Sequence, residues 1–200
     1  MDTGTPRAAL HLECHPNKVG AAFTFAYRAE NRCAVPLYVM DAMPGVDPDT
    51  QSAQANPQGA AVILRPDGTA LLGKFIAPLP QDRVLMAPDL PLCARLDPGQ
   101  GIERELRVPL PFAEASPYFP DLRLREYEIA EVTGIVFAIG FFAADTRGLY
   151  AAPAAYAPEY HVLSATVAPV MAGLAWQALP VKKLEILKRT DDFPREIKSH

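Results

Sequence analysis

The run GIVFAIGFFAA, residues 134–144, constrains the fold of this chain more than any other stretch. As a strand, it has two faces that differ in size and not in polarity. One face carries Ile135, Phe137, Ile139 and Phe141, and the other carries Gly134, Val136, Ala138, Gly140 and Phe142. A strand without a polar face is expected in the interior, covered on both sides. The run therefore predicts a central strand, whose small residues let another backbone approach closely.

The small-residue face of this strand needs a cover, and two segments of the chain could supply it. They are residues 147–160, rich in Ala, Pro and Tyr, and residues 168–180, around the single tryptophan. The alternative cover is a partner subunit, because contiguous exposed apolar surface marks contacts between proteins. Under that alternative the predicted interaction surface consists of Val136, Ala138, Gly140, Phe142 and Trp176.

Alternation of apolar and polar residues predicts strands in the first quarter of the chain. Leu10, Leu12 and Cys14 share one face of a first strand. Residues 22–44 predict two strands that form a hairpin around a polar turn, in which Asn31 bonds to the nearby backbone.

Turn residues predict further strands after the hairpin at residues 22–44. Asp67 and Gly68 predict a tight hairpin turn between two apolar runs, because Asp-Gly supplies the positive φ that such turns need. Residues 92–112 predict a strand, a Pro-Gly turn and a second strand with Leu106, Val108 and Leu110 facing inward.

Proline shapes the rest of the chain, at 21 of 200 residues, about twice its usual share of ~5%. Because proline fits poorly inside helices and central strands, we expect short elements and at most one or two short helices. Residues 121–134 fit a short helix and a strand equally well. We predict one domain over residues 1–188, with loop insertions at 44–59, 76–92 and 146–159, and a charged C-terminal tail at 189–200.

About eight short strands separated by turns predict an all-β fold, an antiparallel β-sandwich. Three stretches of the chain, taken in order, resemble consecutive strands of the immunoglobulin-like and fibronectin type III-like sandwiches of many bacterial proteins. They are FTFAYRAEN, PLYVMD and LDPGQGIERELRVPLPF. The resemblance covers residues 10–145 and is one of pattern. It implies the fold and carries no function with it.

Charge and composition exclude several classes of protein. A net charge of −4 and a pI near 5.6 argue against nucleic-acid binding, which needs clustered basic residues. The N-terminal residues have no apolar core of a signal peptide, and the longest apolar run is too short to span a bilayer, so we expect a soluble, cytoplasmic protein. Cys14, Cys33 and Cys93 fit a reduced compartment, with one bridge from Cys33 to either of the others left open.

Metal-binding residue types occur in two places. His11, Glu13 and His15 share one strand face, but the two histidines would lie about 13 Å apart, so a metal site needs His161 or aspartates brought in by the fold. Asp41, Asp47 and Asp49 flank the loop at 44–59 and lack the spacing of a calcium-binding loop.

No motif ties a residue to a reaction. Nucleophile elbows and phosphate-binding loops are absent from the sequence, and we predict no catalytic residue and no cofactor. The first functional hypothesis is a non-enzymatic structural or protein-interaction module of a bacterial assembly, with a protein partner or self-association. It would dock through the small-residue face from Val136 to Phe142 or through the loops at 44–59 and 76–92. The alternative is a metal- or small-ligand-binding sandwich with hydrolytic activity.

Overall fold

The computed structural model describes residues 9–78, 90–119, 122–164, 173–179, 181, 183–191 and 193–195. The strands are β1 (Leu10–Val19), β2 (Ala22–Asn31), β3 (Leu37–Val46), β4 (Ala53–Asn56), β5 (Ala61–Leu64), β6 (Thr69–Lys74), β7 (Leu92–Leu96), β8 (Gly101–Pro109), β9 (Phe112–Ala113), β10 (Tyr127–Val132), β11 (Gly134–Ala143), β12 (Ala151–Ala154), β13 (Ala157–Leu163), β14 (Gly173–Leu179) and β15 (Leu184–Arg189). A 3-10 helix, Leu124–Glu126, is the only helix within the described residues.

These strands form three sheets, and the fold is an all-β sandwich. The front sheet is antiparallel, in the order β1-β2-β8. The back sheet has the order β12-β13-β7-β3-β11-β6-β5, with β14 paired to β11 and β4 to β3. The end sheet, β10-β15-β9, has one parallel pair, β15–β9, and the back sheet has another, β11–β6. In the part of the chain that the structure describes, no helix is long and apolar enough to cross a membrane.

The main core lies between the front and back sheets and is closed at one end by the end sheet. Phe25 and Tyr27 of β2 each place their ring centroid 4.8 Å from that of Phe137 in β11. Ile186 of β15 and Phe112 of β9 belong to the same buried cluster. Alternation in β2 and β11 therefore produces two large apolar faces that meet.

The prediction of a central strand at residues 134–144 is confirmed. β11 is paired with β6 on a parallel register and with β14 and β3 on antiparallel registers. All its residues from Phe137 to Phe142 are buried. The predicted close approach is found at Gly140, where an added Cβ would lie 3.4 Å from the Phe75 Cα and closer still to the Met40 side chain.

The cover of the small-residue face comes from within the chain. Around Ala138 it consists of side chains that include Phe75, Tyr118, Phe119 and Phe193. Only part of this cover was predicted. Leu174, from residues 168–180, packs against the cluster that contains Ala138, and Leu149 and Ala151, from residues 147–160, pack against the cluster that contains Phe142.

The predicted hairpin at residues 22–44 is wrong in its pairing, although both strands exist. β2 pairs with β1 and β8 in the front sheet, whereas β3 lies in the back sheet. The turn between them crosses from one sheet to the other. The buried Asn31 amide holds it: its Oδ1 accepts the Cys33 N–H at 2.9 Å and its Nδ2 donates to the Val35 carbonyl at 2.9 Å.

A second crossing turn lies against the first. β7 and β8 flank the predicted Pro-Gly turn, yet β7 belongs to the back sheet and β8 to the front sheet. Asn31 joins the two turns, because its Nδ2 also donates to the Leu96 carbonyl at 2.9 Å and its backbone bonds to Gly99 and Gln100. The hairpin at Asp67 and Gly68 is confirmed: β5 pairs with β6 and Gly68 has a φ of 78°.

Three other expectations about loops and the tail need correction. Residues 44–59 contain the end of β3 and the exposed strand β4, and residues 146–159 contain β12 and the start of β13. Both segments are stabilised by strand pairing, which their irregular sequences did not indicate. Of the predicted loop at 76–92, residues 79–89 lie outside the described residues.

The predicted charged tail begins inside the fold. Arg189 is 1% exposed and Phe193 is 4% exposed, because this segment packs on the cluster around Ala138. Residues 121–134, which fitted helix and strand equally, form the 3-10 helix and β10 from Leu124 onward, and Asp121 lies outside the described residues.

Candidate functional site

The five residues of the predicted interaction surface separate into two groups. Ala138, Gly140 and Phe142 are buried by the chain itself. Val136 is half-buried, and Trp176 is 46% exposed. A surface that uses all five residues together is therefore closed in this structure, and only its margin reaches solvent.

That margin is continued by β14. In the antiparallel register, Ala178 faces Val136, Trp176 faces Ala138 and Leu174 faces Gly140, so these side chains share the outer face of the back sheet. Val136 and Leu174 are half-buried and Ala178 is exposed. These four residues, Val136, Leu174, Trp176 and Ala178, form what we call the Trp176 patch. It is an apolar margin beside Ala138, which is fully buried and shares the same face.

The histidines considered for metal binding lie in different sheets. His11, Glu13 and His15 are in β1 of the front sheet, where His15 Nε2 lies 3.4 Å from Glu13 Oε1 on the exposed face. His161 is in β13 of the back sheet, with its ring centroid 5.3 Å from that of Tyr38 and a buried Nδ1 that has no hydrogen-bond partner. Within the described residues no group of three or more His, Cys, Asp or Glu side chains is arranged to hold a metal ion.

The three aspartates near the 44–59 segment also have separate roles. Asp47 Oδ1 accepts the N–H groups of Asp49 and Thr50 at 3.0 and 2.8 Å, which closes the turn before β4. These hydrogen bonds, that of Thr50 first, lower the pKa of Asp47. Asp41 lies in β3 and is completely buried.

Asp41 belongs to a buried polar cluster that sequence reasoning missed. Its carboxylate accepts two hydrogen bonds from Arg104 through Oδ2, at 3.1 Å from Nε and 2.7 Å from Nη2. Lys74 Nζ lies 3.8 Å from Asp41 Oδ1, donates to the Asp41 carbonyl and donates to the Tyr27 hydroxyl at 3.0 Å. We call Tyr27, Asp41, Lys74 and Arg104 the inter-sheet cluster, since two come from the front sheet and two from the back sheet.

Burial dominates the electrostatics of this cluster. It lowers the pKa of Lys74 to about 8, an effect that Asp41 opposes and Arg104 reinforces. Burial, followed by the charge of Asp41, raises the pKa of Tyr27. Lys74 and Asp41 are 0% exposed, whereas the Arg104 side chain is 37% exposed. The lysine amine therefore has no path to a substrate, and the arrangement serves to join the sheets.

The sequence contained a signal for the inter-sheet cluster, because each of its residues lies at a spacing of two from apolar residues that face inward. Tyr27 follows Phe23 and Phe25 at the spacing of two, Asp41 follows Leu37 and Val39, Lys74 follows Ala70 and Leu72, and Arg104 precedes Leu106 and Val108. A charged residue at the inward position of three different strands indicates that the charges meet in the interior.

A second ionic cluster ties residues 189–195 to the sheets. Glu114 is 1% exposed and accepts hydrogen bonds from the backbone N–H groups of Leu64 and Arg189 and from the Arg195 side chain, at 3.0, 2.8 and 2.7 Å. The Arg189 guanidinium pairs with Asp191 and lies 5.4 Å from the Phe119 ring centroid. These contacts attach the described residues of the predicted tail to the sheets.

The three cysteines are free thiols. Cys14 and Cys93 are buried, and burial raises the pKa of Cys14 to about 12. Neither thiol has the low pKa of a nucleophile.

Comparison with protein-family models, with curated proteins and with solved structures finds no match for this chain.

Proposed function

We propose that this chain is a non-enzymatic protein-interaction module whose partner binds at the Trp176 patch. One observation supports the proposal above the others. A tryptophan with 46% of its surface exposed lies beside the half-buried Val136 and Leu174 and opposite the fully buried Ala138. Tryptophan is among the residues that contribute most to binding energy at protein interfaces.

The placement of the polar residues supports a binding module over a catalyst. The members of the inter-sheet cluster are bonded to one another between the sheets, and the buried Glu114 is bonded to Arg195. A likeness to immunoglobulin-like or fibronectin type III-like domains is part of this proposal. It rests on the two facing sheets, and the parallel pairs β6–β11 and β9–β15 depart from it.

The test compares Trp176→Ser with Tyr150→Ser, because Tyr150 is an aromatic residue that is 72% exposed and directly precedes β12, away from β14. Self-association is measured by size-exclusion chromatography with light scattering, and partner binding by capture from the native lysate. We expect Trp176→Ser to abolish the dimer or the captured partner, and Tyr150→Ser to leave both intact. A monomeric chain that captures the same proteins with and without Trp176 would contradict the proposal.

A further inference from the structure

The outer edge of β8 is open to another strand. β8 pairs with β2 along its whole length, and no strand among the described residues pairs with its other side. Exposed edges of this kind are templates for an added strand unless something covers them. Nine residues, Gly101–Pro109, form this edge.

The side-chain amide of Gln58 already forms hydrogen bonds with part of this edge, as a peptide group of a paired strand would. Gln58 Oε1 accepts the Arg107 N–H at 2.9 Å, and Gln58 Nε2 donates to the Glu105 carbonyl at 2.9 Å. A single primary amide thus satisfies one donor and one acceptor of the edge. The next outward carbonyl, that of Glu103, accepts from Arg104 Nη1 at 3.0 Å. The stretch that an incoming strand could use therefore runs from Glu105 to Pro109.

An apolar cleft of about 320 Å³ opens beside this stretch. Val108 and Pro109 of β8 line one wall, Val62 and Leu72 of the back sheet line the other, and Phe112 lies at the end. Gln58 and Arg107 are the polar lining residues. Side chains of a strand paired with β8 would alternate between solvent and the space between the sheets, where this cleft lies.

From the edge and the cleft together, we propose that β8 is a docking site for an extended peptide segment of a protein partner. The segment displaces the Gln58 amide, pairs with the backbone at Glu105 and Arg107, and inserts one apolar side chain into the cleft. Main-chain hydrogen bonds supply affinity in this mode of recognition, and the cleft supplies selectivity. The inference rests on the proposed function only in that the partner is a protein, and it uses a surface separate from the Trp176 patch.

The experiment uses the blocked peptide acetyl-Ser-Thr-Val-Thr-Leu-Thr-Val-Ser-amide as its probe, titrated into the ¹⁵N-labelled full chain and followed by NMR. We expect shifts at Gln58, at Glu103 to Pro109 and around the cleft. A copy of the peptide that is N-methylated at alternate residues, and so lacks the donors for one edge, should not bind.

Three variants test the role of the Gln58 amide. Gln58→Ala should bind the peptide about fivefold more tightly, since about 1 kcal/mol of competing hydrogen bonding is removed. Gln54→Ala is the matched control, because Gln54 is an exposed glutamine of the neighbouring β4 and should leave affinity unchanged. Arg107→Pro removes the edge N–H, which points away from β2, and should weaken binding at least about tenfold. If Arg107→Pro does not fold, the Gln58→Ala comparison decides the question.

The proposal is overturned if Gln58→Ala binds no more tightly than Gln54→Ala, if the N-methylated peptide causes the same shifts, or if the shifts lie on another edge. Trp176→Ser should leave the titration unchanged. The same variant tests the Trp176 patch, so failure at β8 and failure at the patch are observed separately.

Discussion

At the scale of single residues, the most consequential feature is the set of charged side chains at inward positions. Asp41 accepts from Arg104 and is contacted by Lys74, so two cations share one buried carboxylate. Breaking a buried pair by removal of one partner is costly, because the other charge is left without compensation. Asp41 is the member whose loss leaves both Lys74 and Arg104 uncompensated.

Asp41→Ala should therefore lower the free energy of unfolding by about 3 kcal/mol or more. Asp49→Ala is the control, since Asp49 is exposed, and should change it by less than about 0.5 kcal/mol. Urea unfolding of the three proteins at pH 7 measures the difference. Equal costs for the two substitutions would show that the inter-sheet cluster contributes nothing to stability.

Lys74 also predicts a dependence of stability on pH. Burial lowers the pKa of Lys74 from its ordinary value of 10.5 to about 8 in the folded chain, so between these pH values the unfolded state binds more protons. Stability contributed through this residue must then rise with pH. The raised pKa values of Cys14, Cys93 and Tyr27 act in the opposite direction at higher pH.

A comparison with Lys74→Met isolates the lysine, because both proteins contain the same thiols and tyrosines. Between pH 7 and pH 9, the free energy of unfolding of the unsubstituted chain should rise by about 1 kcal/mol more than that of the variant. Urea unfolding at half-unit pH steps gives the curve. A difference that stays constant or falls would mean that Lys74 keeps its ordinary pKa in the fold.

At the scale of elements, alternation predicted where strands lie and which side chains face inward. It placed Leu106 on the inward face of β8 and identified β11 as buried on both sides. It could not predict which strands pair, because a period of two specifies a face and says nothing about the neighbour. The turn at Asn31 therefore fitted a hairpin equally well, although its amide holds a crossing between sheets.

Close packing on β11 gives a test at this scale. A methyl group at Gly140 would overlap the Met40 side chain, so Gly140→Ala should cost about 1–3 kcal/mol. Gly134 begins the same strand, and its added methyl would meet only Thr69 Cγ2 at 3.6 Å, an ordinary contact. Gly134→Ala should be neutral or slightly stabilising in urea unfolding. A larger loss of unfolding free energy in Gly134→Ala than in Gly140→Ala would contradict this packing.

At the scale of the whole molecule, the chain closes on itself at residues 189–195. The local composition of residues 189–200 suggested a charged tail. It could not show that Arg195 pairs with Glu114, which lies 81 residues away in the sequence. Such a contact is invisible to a window of sequence. The same limit hid the inter-sheet cluster, whose members come from four strands, whereas Trp176 could be proposed from the sequence because contiguous apolar residues surround it.

Arg195→Ala should lower the free energy of unfolding by about 2 kcal/mol, because Glu114 keeps its two backbone donors but loses its cation. Arg125→Ala is the matched control on an exposed arginine and should be within about 0.5 kcal/mol of the unsubstituted chain. Thermal and urea unfolding both report the difference. The same loss in both variants would indicate that the Glu114 contacts do not hold the C-terminal segment.

The central claim is that β11 is an interior strand sealed on both faces by its own chain. Native-state amide hydrogen exchange tests it most directly, with the edge strand β12 as the internal reference. The account predicts that the amides of residues 135–142 exchange only through global unfolding, with a free energy of exchange equal to that of urea unfolding, while residues 151–154 exchange much faster. Exchange of β11 at the rate of β12 would contradict it.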